Sequence, residues 1–128
     1  MISADTIQQI ILFSCTTIFV KGDGTRKEYC QGTSFTPKCS TGEVIVLQSA
    51  LYGTLRLGTC VEEDPLNQVG CSVDVLGVVD GHCSGMRECD IRVPNAEMDD
   101  LRTCKHDFTR YLEASFMCIK GELLQCYY

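Results

Sequence analysis

Ten of the 128 residues are cysteine, and no other feature limits the possible folds so much. So dense a supply in one small chain is the composition of a disulfide-tied domain from an oxidising, extracellular setting, because reducing compartments keep thiols open. Zinc is the rival use. No CxxC pair occurs, however, and His82 and His106 stand directly beside Cys83 and Cys104 rather than at ligand-like offsets. Neither a metal nor another cofactor is expected. Counting alone cannot assign partners, since even eight cysteines allow about a hundred connectivities.

Cross-links are not the whole of the fold. Hydrophobic residues make up 45% of the chain, enough for a core once the cysteines are set aside. A disordered tail, a coiled coil and a collagen are excluded by this mixture. Net charge is −6 and unevenly placed. Residues 62–100 hold ten acids against Arg87 and Arg92, giving −8, so the remainder carries +2. A phosphate backbone needs a basic stripe, so nucleic acid is not an expected partner.

Residues 10–20 (IILFSCTTIFV) form an apolar run too short to cross a bilayer. No Lys or Arg precedes it, Asp5 does, and no small-residue cleavage pattern follows before Lys21. The β-branched and aromatic content favours a buried strand, with any export signal then outside this sequence; a signal peptide, which the length of the run also fits, is the alternative. KGDG at Lys21–Gly24 reads as a turn, and Phe35–Gly42 as a second break. Strands are predicted at Glu43–Leu51, Ile91–Pro94, Tyr111–Ile119 and Leu123–Tyr128, and exposed acidic loops at Val61–Gly70 and after Pro94. Cys71–His82 has apolar residues at helical spacing and ends near Asp80-Gly81, which predicts a helix despite its valines. The expected fold class is α/β: a compact, disulfide-rich single domain of antiparallel strands with one or two helices.

The cysteines come with companions. Cys30-x8-Cys39 precedes a strand ending in Ala50-Leu51-Tyr52-Gly53, and Cys60 follows Tyr52 by eight residues. Then come Cys71, the Cys83-x5-Cys89 loop (CSGMREC), Cys104, and Arg110-Tyr111-Leu112 leading to Cys118. This order resembles the sea-urchin-egg-lectin domain, also called the rhamnose- or galactose-binding lectin domain, over about residues 29–118. The resemblance implies the pairs Cys30–Cys60, Cys39–Cys118, Cys71–Cys104 and Cys83–Cys89. Cys15 and Cys126 remain and most simply pair with each other, with an intermolecular bridge as the alternative. The corresponding division is an N-terminal extension at 1–29, a lectin-like domain at 30–118 and a C-terminal strand extension at 119–128.

In that family the strand ends in Ala-Asn-Tyr-Gly-Arg, an acid follows the first cysteine, and Asp-Pro-Cys leads to Gly-Thr-Tyr-Lys-Tyr-Leu. The resemblance thus implies a ligand site at Gln31, Tyr52, Gly53, Thr54, Asp107 and Arg110. Gln31 replaces the acid, Leu51 the asparagine, Thr54 the arginine and Arg102-Thr103 the Asp-Pro, while Arg110 stands for the lysine and Asp107 for the glycine. Leu51 cannot hydrogen-bond a hydroxyl, and Asp107 lacks glycine's backbone freedom. Tyr52 also reads as a core or turn tyrosine, and Arg110 as a surface partner of Glu113 or Asp107. With the scaffold kept and the pocket rewritten, the favoured expectation is an extracellular recognition domain, secreted or part of an ectodomain, that binds a protein at a cell surface. Binding of galactose- or rhamnose-like sugars is the alternative.

Catalysis is not expected, because oxidised cysteines offer no thiolate and neither histidine has a nucleophile partner in a recognisable motif. Glu62-Glu63-Asp64 and Glu97-x-Asp99-Asp100 are acidic clusters without EF-hand spacing. No N-x-S/T sequon occurs. A single module gains avidity only by oligomerising or within a longer chain, and the apolar LLQCYY end would serve either a neighbour or its own domain.

Overall fold

Two long strands organise the molecule. In the computed structural model, which describes residues 25–61, 69–101 and 109–126, Glu43–Thr54 forms β3 and Tyr111–Lys120 forms β6. Around them lie β1 (Lys27–Tyr29), β2 (Ser34–Phe35), β4 (Cys71–Asp74), α1 (Leu76–Cys83), β5 (Ile91–Arg92) and α2 (Ala96–Leu101), with a closing 3-10 helix at Gly121–Cys126. The main sheet runs β1-β6-β3-β4 and is antiparallel throughout; β2 and β5 pair separately.

β3 and β6 pair from Glu43↔Lys120 to Gly53↔Tyr111, with a register shift between Leu47 and Ser49. Both strands carry apolar residues on both faces. Ile45, Leu47, Ala50, Tyr52, Leu112, Ala114 and Cys118 join the main core, whereas Val46, Met117 and Ile119 form a second cluster backed by Val44 and Leu124. Burial on two faces explains why the sequence shows a continuous apolar run here rather than strict alternation. On the main face, Tyr29, Phe35 and Phe116 meet edge to face, with centroids 4.9 and 6.0 Å apart.

Disulfides join Cys30 to Cys60, Cys39 to Cys118 and Cys83 to Cys89. Cys71 is also disulfide-bonded, but Cys104 and the Cys15–Cys126 pair involve residues outside the described set. The expected strand at residues 10–20 and the turn at Lys21–Gly24 lie outside it too, as does most of the Val61–Gly70 loop.

Three local expectations are corrected. Cys71–His82 is not one helix: Cys71–Asp74 pairs with Leu51–Thr54 as β4, and α1 starts only at Leu76 and runs past Gly81 to Cys83. An open ladder on β3 outweighs helical spacing for a segment that contains Val73. Asp74 then marks the change by accepting the Leu76 N–H at 2.8 Å. The acidic loop after Pro94 is helix α2, because Asn95 Oδ1 caps the Met98 N–H at 3.1 Å and Met98 is fully buried. The C-terminal strand is replaced by the 3-10 helix: Gly121 N–H bonds to the Gly42 carbonyl at 2.9 Å, just before β3 begins, so no strand continues the ladder.

Candidate functional site

The far ends of β3 and β6 bring the chemistry together. Gly53 has a positive φ of 145°, and a Cβ there would collide with the Cys71 carbonyl on the neighbouring strand. Glycine at this position therefore lets β4 close over the end of β3. Thr54 is fully buried and its hydroxyl donates to the Thr109 carbonyl. That bond fixes the entry to β6 and with it the position of Arg110.

Tyr52 is fully buried as well, so its ring is core. Its hydroxyl is the hub of a polar cluster. It donates to Asp99 Oδ1 at 2.7 Å and accepts from Arg110 Nε at 3.1 Å and from the Asn95 backbone N–H at 3.4 Å. Arg110 grips the same carboxylate with two groups: Nε reaches Asp99 Oδ1 at 2.6 Å and Nη2 reaches Oδ2 at 3.0 Å. This two-pronged geometry is the strong form of a charge-assisted pair. Burial first, and then the Asp99 carboxylate, raise the Tyr52 phenol above its ordinary value. The hydrogen bonds to Asp99 raise the Arg110 guanidinium, so it stays protonated.

The pair is not sealed. Side chains of Arg110 and Asp99 retain 18% and 19% of their accessible surface, enough for a ligand to reach them. Beside them Gln31 is exposed, and its Oε1 accepts the Arg110 backbone N–H at 3.4 Å. The structure thus gathers Gln31, Tyr52 and Arg110 at one spot, leaves Gly53 and Thr54 as buried supports, and does not describe Asp107.

Asp99 is the participant that sequence reasoning missed. It was visible only as one of the acids after Pro94, and Arg102-Thr103 in place of Asp-Pro suggested that the site had lost its carboxylate. Helix α2 supplies one from five residues before Cys104. The Asn95-x-x-Met98 cap was the available signal for that helix. Of the two partners expected for Arg110, Asp107 lies outside the described residues and Glu113 is held instead by Arg56, at 2.6 and 3.1 Å, with Glu28 3.5 Å from the same guanidinium. Arg110, just before β6, points towards α2, whereas Glu113 within β6 points towards the loop that follows β3. Among the described residues no group of His, Cys, Asp or Glu could hold a metal ion.

A small antiparallel sheet tied by disulfides, with a half-open cluster of carboxylate, guanidinium and amide at one end, defines a recognition domain of lectin type. Residues 37–118 match the D-galactoside/L-rhamnose binding SUEL lectin domain. That span is nearly two thirds of the chain, and the chain belongs to this family of sugar-binding domains.

Proposed function

We propose that the chain is an extracellular lectin whose sugar site is the Gln31–Asp99–Arg110 surface. The carrying observation is the Asp99–Arg110 pair, held at 2.6 and 3.0 Å and still partly open to solvent. Each hydroxyl of a pyranose donates one hydrogen bond and accepts others. A carboxylate that only accepts, beside a guanidinium that only donates, meets two vicinal hydroxyls at once. Gln31 adds an amide able to do both. The charges of the pair cancel, which suits an uncharged hexose of the galactose or rhamnose type. Family membership and the carboxylate from α2 together favour sugar over the protein partner expected from the rewritten motifs.

The protein-partner reading keeps two observations in its favour. Tyr52 offers no exposed ring for a sugar to lie against, and Leu51 is partly buried and apolar.

Titrating the full chain with D-galactose and L-rhamnose to tens of millimolar, followed by NMR shifts, decides between them. Saturable shifts at Gln31 and Arg110 that are weakened in Gln31→Ala and lost in Arg110→Gln support the sugar site. Gln31 is exposed, so its substitution leaves the fold intact. Flat titrations with both sugars reject the monosaccharide site and leave a protein at the cell surface as the partner to seek.

A further inference from the structure

A groove of about 730 Å³ runs between the first turn of α1 and the bulged stretch of β3, and it shares no residue with the Gln31–Asp99–Arg110 site. Val46, Leu47, Leu76 and Met117 supply its apolar lining, and Gln48, Asp74 and Asp80 its polar groups. We propose that this groove docks a lysine or arginine side chain presented by a protein partner.

Charge selects the occupant. Both ionisable groups that line the groove are carboxylates, and no Lys, Arg or His lines it. The chain as a whole carries −6, which steers cations towards it. Shape agrees with charge. Lys and Arg bury an aliphatic stem against apolar surface while the charged head stays among polar groups. Here the stem would lie on Val46, Leu76 and Met117, and the unbranched thioether of Met117 adapts its packing to either stem. The volume falls in the range of sites that hold compact ligands and exceeds a single side chain, leaving space for the flanking peptide.

Backbone features keep the groove open. β4 ends its pairing at Asp74↔Leu51, so no strand covers β3 beyond that point; Leu47 N–H instead donates to Ser84 Oγ at 3.3 Å. The register shift between Leu47 and Ser49 leaves Gln48 without a cross-strand partner and exposed. Bulges of this kind re-aim a side chain, and this one presents an amide at the groove. The Gln48 amide nitrogen reaches Met117 Sδ at 3.7 Å, a weak acceptor, and its carbonyl oxygen suits a cationic donor. A Cβ added at Gly77 would meet nothing within 4 Å, so that wall is clear. The carboxylates are held in place as well: Asp74 Oδ1 accepts the Leu76 N–H and Asp80 Oδ1 the Ser84 hydroxyl.

The test titrates the full chain with N-acetyl-lysine methylamide, N-acetyl-arginine methylamide and the uncharged N-acetyl-norleucine methylamide, followed by NMR. The two cationic amides should give saturable, salt-sensitive shifts at Val46, Gln48, Gly77 and Met117, and the norleucine amide none. Gln48→Glu should tighten the cationic amides by up to about fivefold, and Gln48→Lys weaken them by at least as much, as expected for one exposed charge pair. Asp74→Asn should also weaken them, while its amide still caps Leu76. No saturation, equal binding of the norleucine amide, or indifference to both Gln48 variants would overturn the proposal. Sugar titrations of the Gln48 variants should match the parent chain, so failure of one site is not mistaken for failure of the other.

Discussion

Tyr52 has a structural role and a positioning role, and the two can be separated chemically. Its ring fills the core and its hydroxyl holds Asp99 and Arg110 in register. Tyr52→Ala would hollow the core at a cost of about 3–5 kcal/mol, which would confound any binding test. Tyr52→Phe keeps the ring and removes the hydroxyl's bonds to Asp99, Arg110 and the Asn95 N–H; Asp99 and Arg110 still hold each other, so stability should fall by about 1.5–3 kcal/mol. Urea unfolding checks this: the midpoint should drop with an unchanged m-value. A drop of the Ala size would mean that the hydroxyl anchors far more than its three described contacts. Single residues were legible in the sequence where motif and chemistry agreed. Tyr52 and Arg110 stood out by position, yet their common partner Asp99 did not, because nothing local ties an acid in one segment to an arginine eleven residues away. Gly53 kept the family's pattern and Thr54 departed from it, but only the structure shows both as buried supports rather than contacts.

Among the elements, α2 links fold and site most directly. It has six residues, too few to persist alone, and depends on its cap and on the buried Met98. Asn95→Ala removes the cap and should cost about 1 kcal/mol, leaving the backbone N–H of residue 95 still able to meet Tyr52. Because Asp99 rides on this helix, the same substitution should weaken binding at the proposed sugar site without altering any of that site's own residues. Calorimetric titration alongside urea unfolding tests both effects. Unaltered affinity in a destabilised variant would show that Tyr52 and Arg110 alone position Asp99. The long strands were readable because β-branched runs and burial act together over ten or more residues. β4 and α2 were not, since four residues at Cys71–Asp74 and six at Ala96–Leu101 take their form from partners distant in sequence.

For the whole molecule, the disulfides close loops of very different length, and that difference is measurable. Cys39–Cys118 spans 79 residues and ties the segment before β3 to the end of β6. Cys30–Cys60 spans 30, and Cys83–Cys89 only 6. Loop-closure entropy assigns them about 4–5, 3–4 and 2 kcal/mol respectively. Counting could not have supplied these partners; the resemblance to the lectin family implied them. Replacing each pair by alanines in turn should reproduce that ranking in non-reducing urea unfolding, with the Cys39/Cys118 variant the least stable. The competing effect is local. Cys83 is fully buried, and the loop it closes is bonded to β3 through Gly85 N–H to the Ile45 carbonyl and Ile45 N–H to the Met86 carbonyl, at 2.8 and 2.7 Å. Should the Cys83/Cys89 variant instead prove the weakest, the short bridge would be holding α1 and the start of β3 in place. The groove between α1 and β3, distinct from the Gln31–Asp99–Arg110 site, would then depend on a native-state contact rather than on a constraint of the unfolded chain. Equal losses for all three pairs would argue that packing around the sulfurs outweighs loop length altogether.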